Sequence, residues 1–279
     1  LKIAALPPLR EVIARHELQA TKSLGQNFLL DLNLTAKIAR AAGGLSGQTV
    51  IEIGPGPGGL TRALLATEAK QVIAVEYDPR AVAALQGLVE AAEGKLTVLA
   101  GDALKMDIVG LGNAPRAIVA NLPYNISTVL LVRWLRRIDC FTSLTLMFQR
   151  EVAERLVATP GSKAYGRLSV MTGWLTEAKI LFDVPPQAFT PPPKITSSIV
   201  QLLPRPRTDT VSFETMETVV AAAFNQRRKM LRASLKTLGG DTESLLREAA
   251  IDPTDRAEVL SVADFVRLSQ VFADRSATA

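Results

Sequence analysis

Thr49-Val50-Ile51-Glu52-Ile53-Gly54-Pro55-Gly56-Pro57-Gly58-Gly59-Leu60 joins a short β-branched run to a glycine-rich loop and then to a helical pattern. A strand that turns through such a loop into a helix opens a parallel α/β unit, with the loop at the carboxyl edge of the sheet, where ligands bind. Working outward, Gln71-Val72-Ile73-Ala74-Val75 predicts the next strand, and helices are expected from about Leu60, from about Pro79 and, upstream, from near Asp31. Further strands are expected over 96–99, 117–120, 143–148, the region 169–182, and 197–203, where Ile199, Gln201 and Leu203 alternate as in an edge pair. This alternation predicts a mostly parallel sheet with covering helices and some antiparallel strands late in the chain.

Pro204-Arg205-Pro206-Arg207 neither continues a strand ladder nor starts a regular helix, so it reads as a linker. Beyond it the pattern is helical to about Phe272, with Phe224, Leu231, Leu235 and Leu238 at helical spacing and later segments at 242–250 and 262–272. Two domains follow: an α/β domain over 1–205 and a smaller all-helical one over 206–279.

Composition narrows the chemistry. The 279 residues carry 32 Lys and Arg against 27 Asp and Glu, a formal charge of +5 that suits a polyanionic partner without demanding one. The single cysteine, Cys140, excludes an internal disulfide framework and a multi-cysteine zinc site. A single histidine, His16, leaves little from which to build a Ser-His or Cys-His nucleophile or a histidine-rich metal centre. The early apolar run ends in Pro7-Pro8 without a cleavage site, and no stretch is long enough to cross a bilayer, so a soluble, unexported, cytoplasmic protein is expected.

Gly54, Gly56 and Gly59 let the backbone turn and approach a ligand closely. Glu76, about twenty residues on at the end of the next strand, can accept both hydroxyls of a ribose. A dinucleotide fits this formal pattern, but Pro55 and Pro57 remove two of the N–H donors that a pyrophosphate needs. S-adenosylmethionine has no phosphate and tolerates that loss. Asp102, closing the following strand, can accept from an adenine amino group. The residues therefore favour the methyl donor over a dinucleotide, with a purely structural glycine turn as the remaining alternative.

Asn121-Leu122-Pro123-Tyr124 follows the run 117–120 and so falls beside the same cleft. An exocyclic ring amine is a poor nucleophile because its lone pair is delocalised. The Asn121 side-chain oxygen and the Leu122 carbonyl can each accept an N–H bond as that nitrogen becomes tetrahedral. Pro123 stiffens the turn, and Tyr124 offers a ring for stacking the base, worth about 1–3 kcal/mol. Positioning then supplies much of the acceleration, with neither metal nor imidazole. An ordinary Asn-Pro turn is the alternative, and the glycine loop, Glu76 and Asp102 ahead of it weigh against that.

With these motifs in this order the sequence resembles the adenine N6 dimethyltransferase family of ribosomal RNA. The likeness spans nearly the whole chain and includes Lys22-Ser23-Leu24-Gly25-Gln26-Asn27-Phe28-Leu29. In that family this segment lies over the cofactor, which makes Asn27 and Leu29 cofactor contacts by resemblance; read alone it is a polar loop. Val184-Pro185-Pro186-Gln187-Ala188-Phe189-Thr190-Pro191-Pro192-Pro193-Lys194 also matches, and there Phe189 either stacks the second face of the base or pins a stiff loop to the core.

The resemblance implies a Rossmann-like S-adenosylmethionine methyltransferase sheet and dimethylation of two adjacent adenosines near the 3′ end of 16S ribosomal RNA. It further implies an immature small subunit as partner, with no membrane, no metal and a monomeric enzyme. The other class of function on the same fold is a non-catalytic RNA-binding assembly or transcription factor. Finally, one helix through Phe224–Lys236 would bring Arg228, Arg232 and Lys236, with Arg227 beside them, to an RNA-facing stripe or to a merely solvated face.

Overall fold

The computed structural model describes residues 2–18 and 25–278. The chain divides into two compact units, the first comprising the residues up to Ala153 together with Lys179–Pro204, and the second Glu154–Ala178 with the residues from Arg205 onward.

The first unit is built on the strands β1 (Phe28–Leu29), β2 (Thr49–Ile53), β3 (Gln71–Glu76), β4 (Leu96–Ala100), β5 (Arg116–Asn121), β6 (Ser143–Gln149), β7 (Thr176–Val184), β8 (Phe189–Thr190) and β9 (Ser197–Pro204). Seven of them form one sheet in the order β4-β3-β2-β5-β6-β9-β7. β2 pairs in parallel with β3 and β5, β3 with β4, and β5 with β6, whereas β9 runs antiparallel to β6. The strand order reverses about β2, so the crevice at its carboxyl end opens between β2 and β5. β2 is buried along its whole length, Thr49 and Glu52 included, as in a strand covered on both faces. On one face Val50, Val72, Ala74, Ala117 and Val119 pack with Ile38, Leu64, Leu85 and Leu88 from the covering helices.

β1 and β8 form a separate antiparallel pair in which Leu29 lies opposite Phe189. Upstream of β1, 19–24 lie outside the described residues, and Lys22-Ser23-Leu24 of the family-like segment with them. Asp31 caps the helix Leu32–Ala41 by accepting from the Asn33 and Leu34 amides, as its position suggests.

The expectation of strand throughout 169–182 holds for only half of that stretch. Arg167–Leu175 is a helix and β7 starts at Thr176. A short apolar run does not separate helix from strand by period. Here the Gly166 amide donates to Ser169 Oγ, and the helix buries Val170, Met171, Trp174 and Leu175.

That helix belongs to the second unit, so the helical domain is larger than 206–279 and takes an excursion of the chain between β6 and β7. Its core explains why: the Tyr165 ring meets Phe224 edge-on at 6.1 Å, Phe224 stacks on Phe265 at 5.8 Å, and Trp174 lies 6.3 Å from Phe213. The helix Phe213–Asn225 buries Met216, Val219 and Val220, and Val262–Thr278 contributes Phe265 and Leu268. Among the described residues no helix is long and apolar enough to cross a membrane.

Candidate active site

The glycine loop leaves β2 with Gly56 at φ +54°, and a Cβ there would come within 3.0 Å of the Phe28 ring. At Gly59 a Cβ would approach the Leu29 carbonyl oxygen to 2.6 Å, a contact that backbone cannot relieve. Glycine is thus required because β1 lies directly across the loop. The loop and β1 enclose a pocket completed by Glu76 to Asp78, by Gly101 to Leu104, and by Asn121 to Ile126. All the residues expected to hold a cofactor (Asn27, Leu29, Gly54, Gly56, Glu76, Asp102 and Asn121) line it, as do Leu122, Pro123 and Tyr124.

Glu76 is buried and organises the loop: Oε2 accepts from the Gly56 amide at 3.0 Å and Oε1 from the Asp78 amide at 2.8 Å. Burial raises its pKa, with the backbone donors opposing the shift. An ionised carboxylate has about four acceptor sites, so two remain for hydroxyls of a ligand. Asp102 uses Oδ1 to accept from the Leu104 amide at 2.9 Å, which fixes its carboxylate at the opposite wall. Asp78 caps the helix Pro79–Ala84 and is held by Arg80 at 2.7 Å and Gln26 at 3.1 Å. The Arg80 hydrogen bond, foremost, lowers its pKa.

Among the described residues the pocket lining carries four carboxyl side chains, Glu52, Glu76, Asp78 and Asp102, and no Lys or Arg. A pyrophosphate would meet the carboxylates of Glu76 and Asp102 here, with no cation among the described lining residues to offset them. A ligand with a sulfonium and an ammonium meets the opposite sign, so the donor set fits S-adenosylmethionine and not a dinucleotide. Linear order alone does not say which side chains reach the pocket, so this charge pattern is legible only in the fold.

Glu52 was not among the expected site residues. It is 1% exposed, and its Oε2 has no hydrogen-bond partner. Burial, with the charge of Glu76 adding to it, pushes its pKa from 4.5 up to about 8. A carboxyl raised in the folded state binds a proton that the unfolded chain has released, so it costs stability as pH rises from about 4.5 through about 8. Glu52→Gln is neutral throughout and escapes that cost. Thermal melts without cofactor should therefore give the variant a higher Tm than wild type at pH 9 and a difference near zero at pH 4.5. A gap that does not change with pH would refute a protonated Glu52.

At the end of β5, Asn121 Nδ2 donates to the Asn27 carbonyl at 3.3 Å. A carbonyl can only accept, so this bond orients the amide and leaves Oδ1 directed away from Asn27 as an acceptor. Leu122 is buried, and Tyr124 opens the helix Tyr124–Leu135 half-buried, with its hydroxyl 2.6 Å from Ser197 Oγ on β9. Burial raises the Tyr124 pKa, and the tether fixes the position of the hydroxyl end of the ring. Ser197 is a positioning residue that the sequence marked only as part of a strand.

Two expectations need correction. Phe189 is 3% exposed and packs in the core with Leu29 and Ala188, so it pins the proline-rich segment instead of presenting a stacking face. The basic helix also does not continue: Phe213–Asn225 ends, Gln226 and Met230 leave helical geometry, and a new short helix spans Leu231–Ser234. The break is tertiary in origin, since the Leu231 amide donates to Asp255 O at 2.7 Å and the Arg232 amide to Pro253 O at 3.1 Å. Arg228, Arg232 and Lys236 are exposed but do not share one helical face. Arg227 pairs with Glu258 at 3.1 Å and donates to the Lys163 carbonyl, which makes it a structural tie. Leu231 and Leu235 are buried, as their spacing implied.

Comparison with known proteins shows the family. The model of the family described as ribosomal RNA adenine dimethylase matches residues 17–274. A protein of Mesorhizobium japonicum named ribosomal RNA small subunit methyltransferase A is 60% identical over 278 residues, covering 96% of this chain and 99% of its own. A protein of the same name from Xanthobacter autotrophicus is 59% identical, covering 96% and 94%. Among solved structures, a dimethyladenosine transferase from Plasmodium falciparum is similar with a TM-score of 0.77 at 28% identity, covering 88% of this chain and 97% of its own. The 23S rRNA methyltransferase ErmE follows with a TM-score of 0.67 at 28% identity, covering 88% and 100%. With an anionic pocket suited to a sulfonium donor, an oriented Asn121 at its edge and a family model matched from residue 17 to residue 274, the chain belongs to the ribosomal RNA adenine dimethylase family.

Proposed function

We propose that this chain transfers two methyl groups to N6 of each of two neighbouring adenosines near the 3′ end of 16S ribosomal RNA. It does so as a cytoplasmic monomer acting on an immature small subunit. The observation that carries this reading is the orientation of Asn121, whose donor is committed to Asn27 while its acceptor is left for an amine beside a pocket lined by carboxylates.

When bound, the cofactor supplies an electrophilic methyl on sulfur. Glu76 and Asp102 hold its adenosine, and the glycine loop gives it room. Asn121 Oδ1 and the Leu122 carbonyl accept from the N6 hydrogens and stabilise positive charge as it develops on nitrogen. The Tyr124 ring, tethered through Ser197, stacks the base once it has left its surroundings.

Arg228 and Arg232 supply counter-charge for the RNA from the second unit. Neutralising both should weaken binding to unmodified small subunits and reduce the slope of log affinity against log salt by about 1–2, with cofactor affinity intact. Equal affinity and slope in wild type and double variant would remove them from the RNA-binding surface. The reading as a whole is tested by nucleoside analysis of small-subunit RNA after incubation with the protein and labelled cofactor. Dimethyladenosine is the expected product, and its absence under conditions of cofactor binding would reject the reading.

A further inference from the structure

Gly25-Gln26-Asn27-Phe28-Leu29 forms a strap along the pocket, and each of these residues lines it. The two halves of the strap are held differently. Downstream, Phe28 and Leu29 pair with Thr190 and Phe189 of β8, and the glycine loop packs closely enough that a Cβ at Gly56 or Gly59 would meet the Phe28 ring or the Leu29 carbonyl. Upstream, Gln26 Nε2 donates to Asp78 Oδ2 at 3.1 Å. Gly25, at φ +62°, lies against the tetrapeptide and its helix, where a Cβ would come within 3.1 Å of Asn125 Oδ1 and 3.6 Å of Pro123. Between the two halves stands the Asn27 carbonyl, which accepts from Asn121 Nδ2.

Asp78 is a firm anchor because its own side of the pocket fixes it. The side chain is buried. Oδ1 accepts from the Arg80 amide at 3.0 Å, capping Pro79–Ala84, and from Arg80 Nε at 3.1 Å, while Oδ2 accepts from the Arg80 guanidinium at 2.7 Å. The Asp78 amide is itself held by Glu76 Oε1 at 2.8 Å. A hydrogen bond donated to such a carboxylate is charge-assisted and stronger than one between neutral groups.

The direction of the Asn27 carbonyl depends on both halves of the strap. It belongs to the planar peptide unit joining Asn27 to Phe28, so it is aimed by ψ of Asn27 and φ of Phe28. Strand β1 restrains the second of these angles. The first is restrained when the chain before Asn27 is tied down, which the bond from Gln26 to Asp78 does.

We infer that Gln26 is a positioning residue for methyl transfer: by tying the strap to Asp78 it aims the Asn27 carbonyl that orients the Asn121 amide. The inference rests on the RNA-methylating function proposed above. It links Glu76, at the ribose end of the pocket, to Asn121 through Asp78, Gln26 and Asn27, so both ends share one scaffold.

The test is methyl transfer to unmodified small subunits with cofactor saturating for each variant, with thermal melts and cofactor titration as checks on folding. Gln26→Met, close to glutamine in length and volume but without a donor, should lose about tenfold in kcat, the lower end of what a hydrogen bond to a charged group contributes. The subunit KM should stay within about twofold of wild type, because the acceptor is needed most as charge develops on nitrogen. Gln26→Asn keeps the amide but draws it back from Asp78 by one methylene; it should show the same loss and serves if the Met variant does not fold. A double-mutant cycle separates positioning from general loosening. Adding Gln26→Met to Asn121→Ala should cost no more than about twofold further, since the residue that Gln26 acts through is already gone. Wild-type kcat in the Met and Asn variants overturns the positioning role and leaves the proposed function standing. A further tenfold loss in the Asn121→Ala background also overturns it, because Gln26 then acts independently of Asn121. A wild type that binds cofactor and subunit without transferring methyl overturns the inference and the proposed function together.

Discussion

Asn121→Ala is expected to lower kcat for methyl transfer by about 10²–10³-fold, the cost of removing one positioned group that stabilises transition-state charge. The loss should fall on kcat more than on substrate KM, because the acceptor is needed most when nitrogen acquires charge and tetrahedral geometry. Asn121→Asp sharpens the test. Aspartate keeps acceptor oxygens but has no N–H to give to the Asn27 carbonyl, which lies 3.3 Å from Nδ2 in the native site. It should therefore be as poor as alanine or worse, since a carboxylate facing a carbonyl turns away and carries the acceptor out of line. Near-native turnover by the Asp variant, measured with saturating cofactor and subunits, would show that the Asn27 bond does not set the geometry.

Glu76→Ala should raise the cofactor Kd by about 100-fold or more. Hydrogen bonds to a charged group contribute about 1.5–3 kcal/mol each, and two ribose hydroxyls are at stake. The carboxylate also holds the Gly56 and Asp78 amides at 3.0 and 2.8 Å, so its removal loosens both sides of the pocket. Glu76→Gln can replace only part of this, because an amide has one acceptor atom for two backbone donors. The pH dependence has a defined sign: burial raises the Glu76 pKa, so protonation on acidification removes the acceptor and cofactor affinity falls as pH is lowered. Calorimetric titration of the variant with cofactor measures the effect, and a Kd within threefold of wild type would mean that the ribose is held elsewhere.

Much of this site can be read from local order, and what cannot has a common physical origin. The loop from Gly54 to Gly59, the strand ends carrying Glu76 and Asp102, and the tetrapeptide are each a short motif following an apolar strand, and a parallel sheet gathers such strand ends at one edge. Composition carries the chain's net charge but not its distribution, and the lack of Lys and Arg among the described residues of the pocket lining emerges only with the fold.

The misread elements depended on distant partners. Phe189 sits in a proline-rich segment that looks solvent-facing, yet pairing with Leu29 draws it into the core. Gln226–Met230 is composed of good helix formers, but amides at Leu231 and Arg232 are claimed by the carbonyls of Asp255 and Pro253, and propensities worth tenths of a kcal/mol yield to such contacts. The helix at Arg167–Leu175 lies within a run of strand candidates and is helical because Trp174 joins Phe213 in the second unit.

The central claim is that Asn121 presents its side-chain oxygen to an adenine amino group of small-subunit RNA. Its most direct test is incubation of wild type and Asn121→Ala with labelled S-adenosylmethionine and small subunits lacking the modification, followed by nucleoside analysis. Labelled N6-dimethyladenosine from the wild type and almost none from the variant is the predicted result. Binding of cofactor and subunit by both proteins with no label transferred by either would contradict it and leave a non-catalytic assembly factor on the same fold.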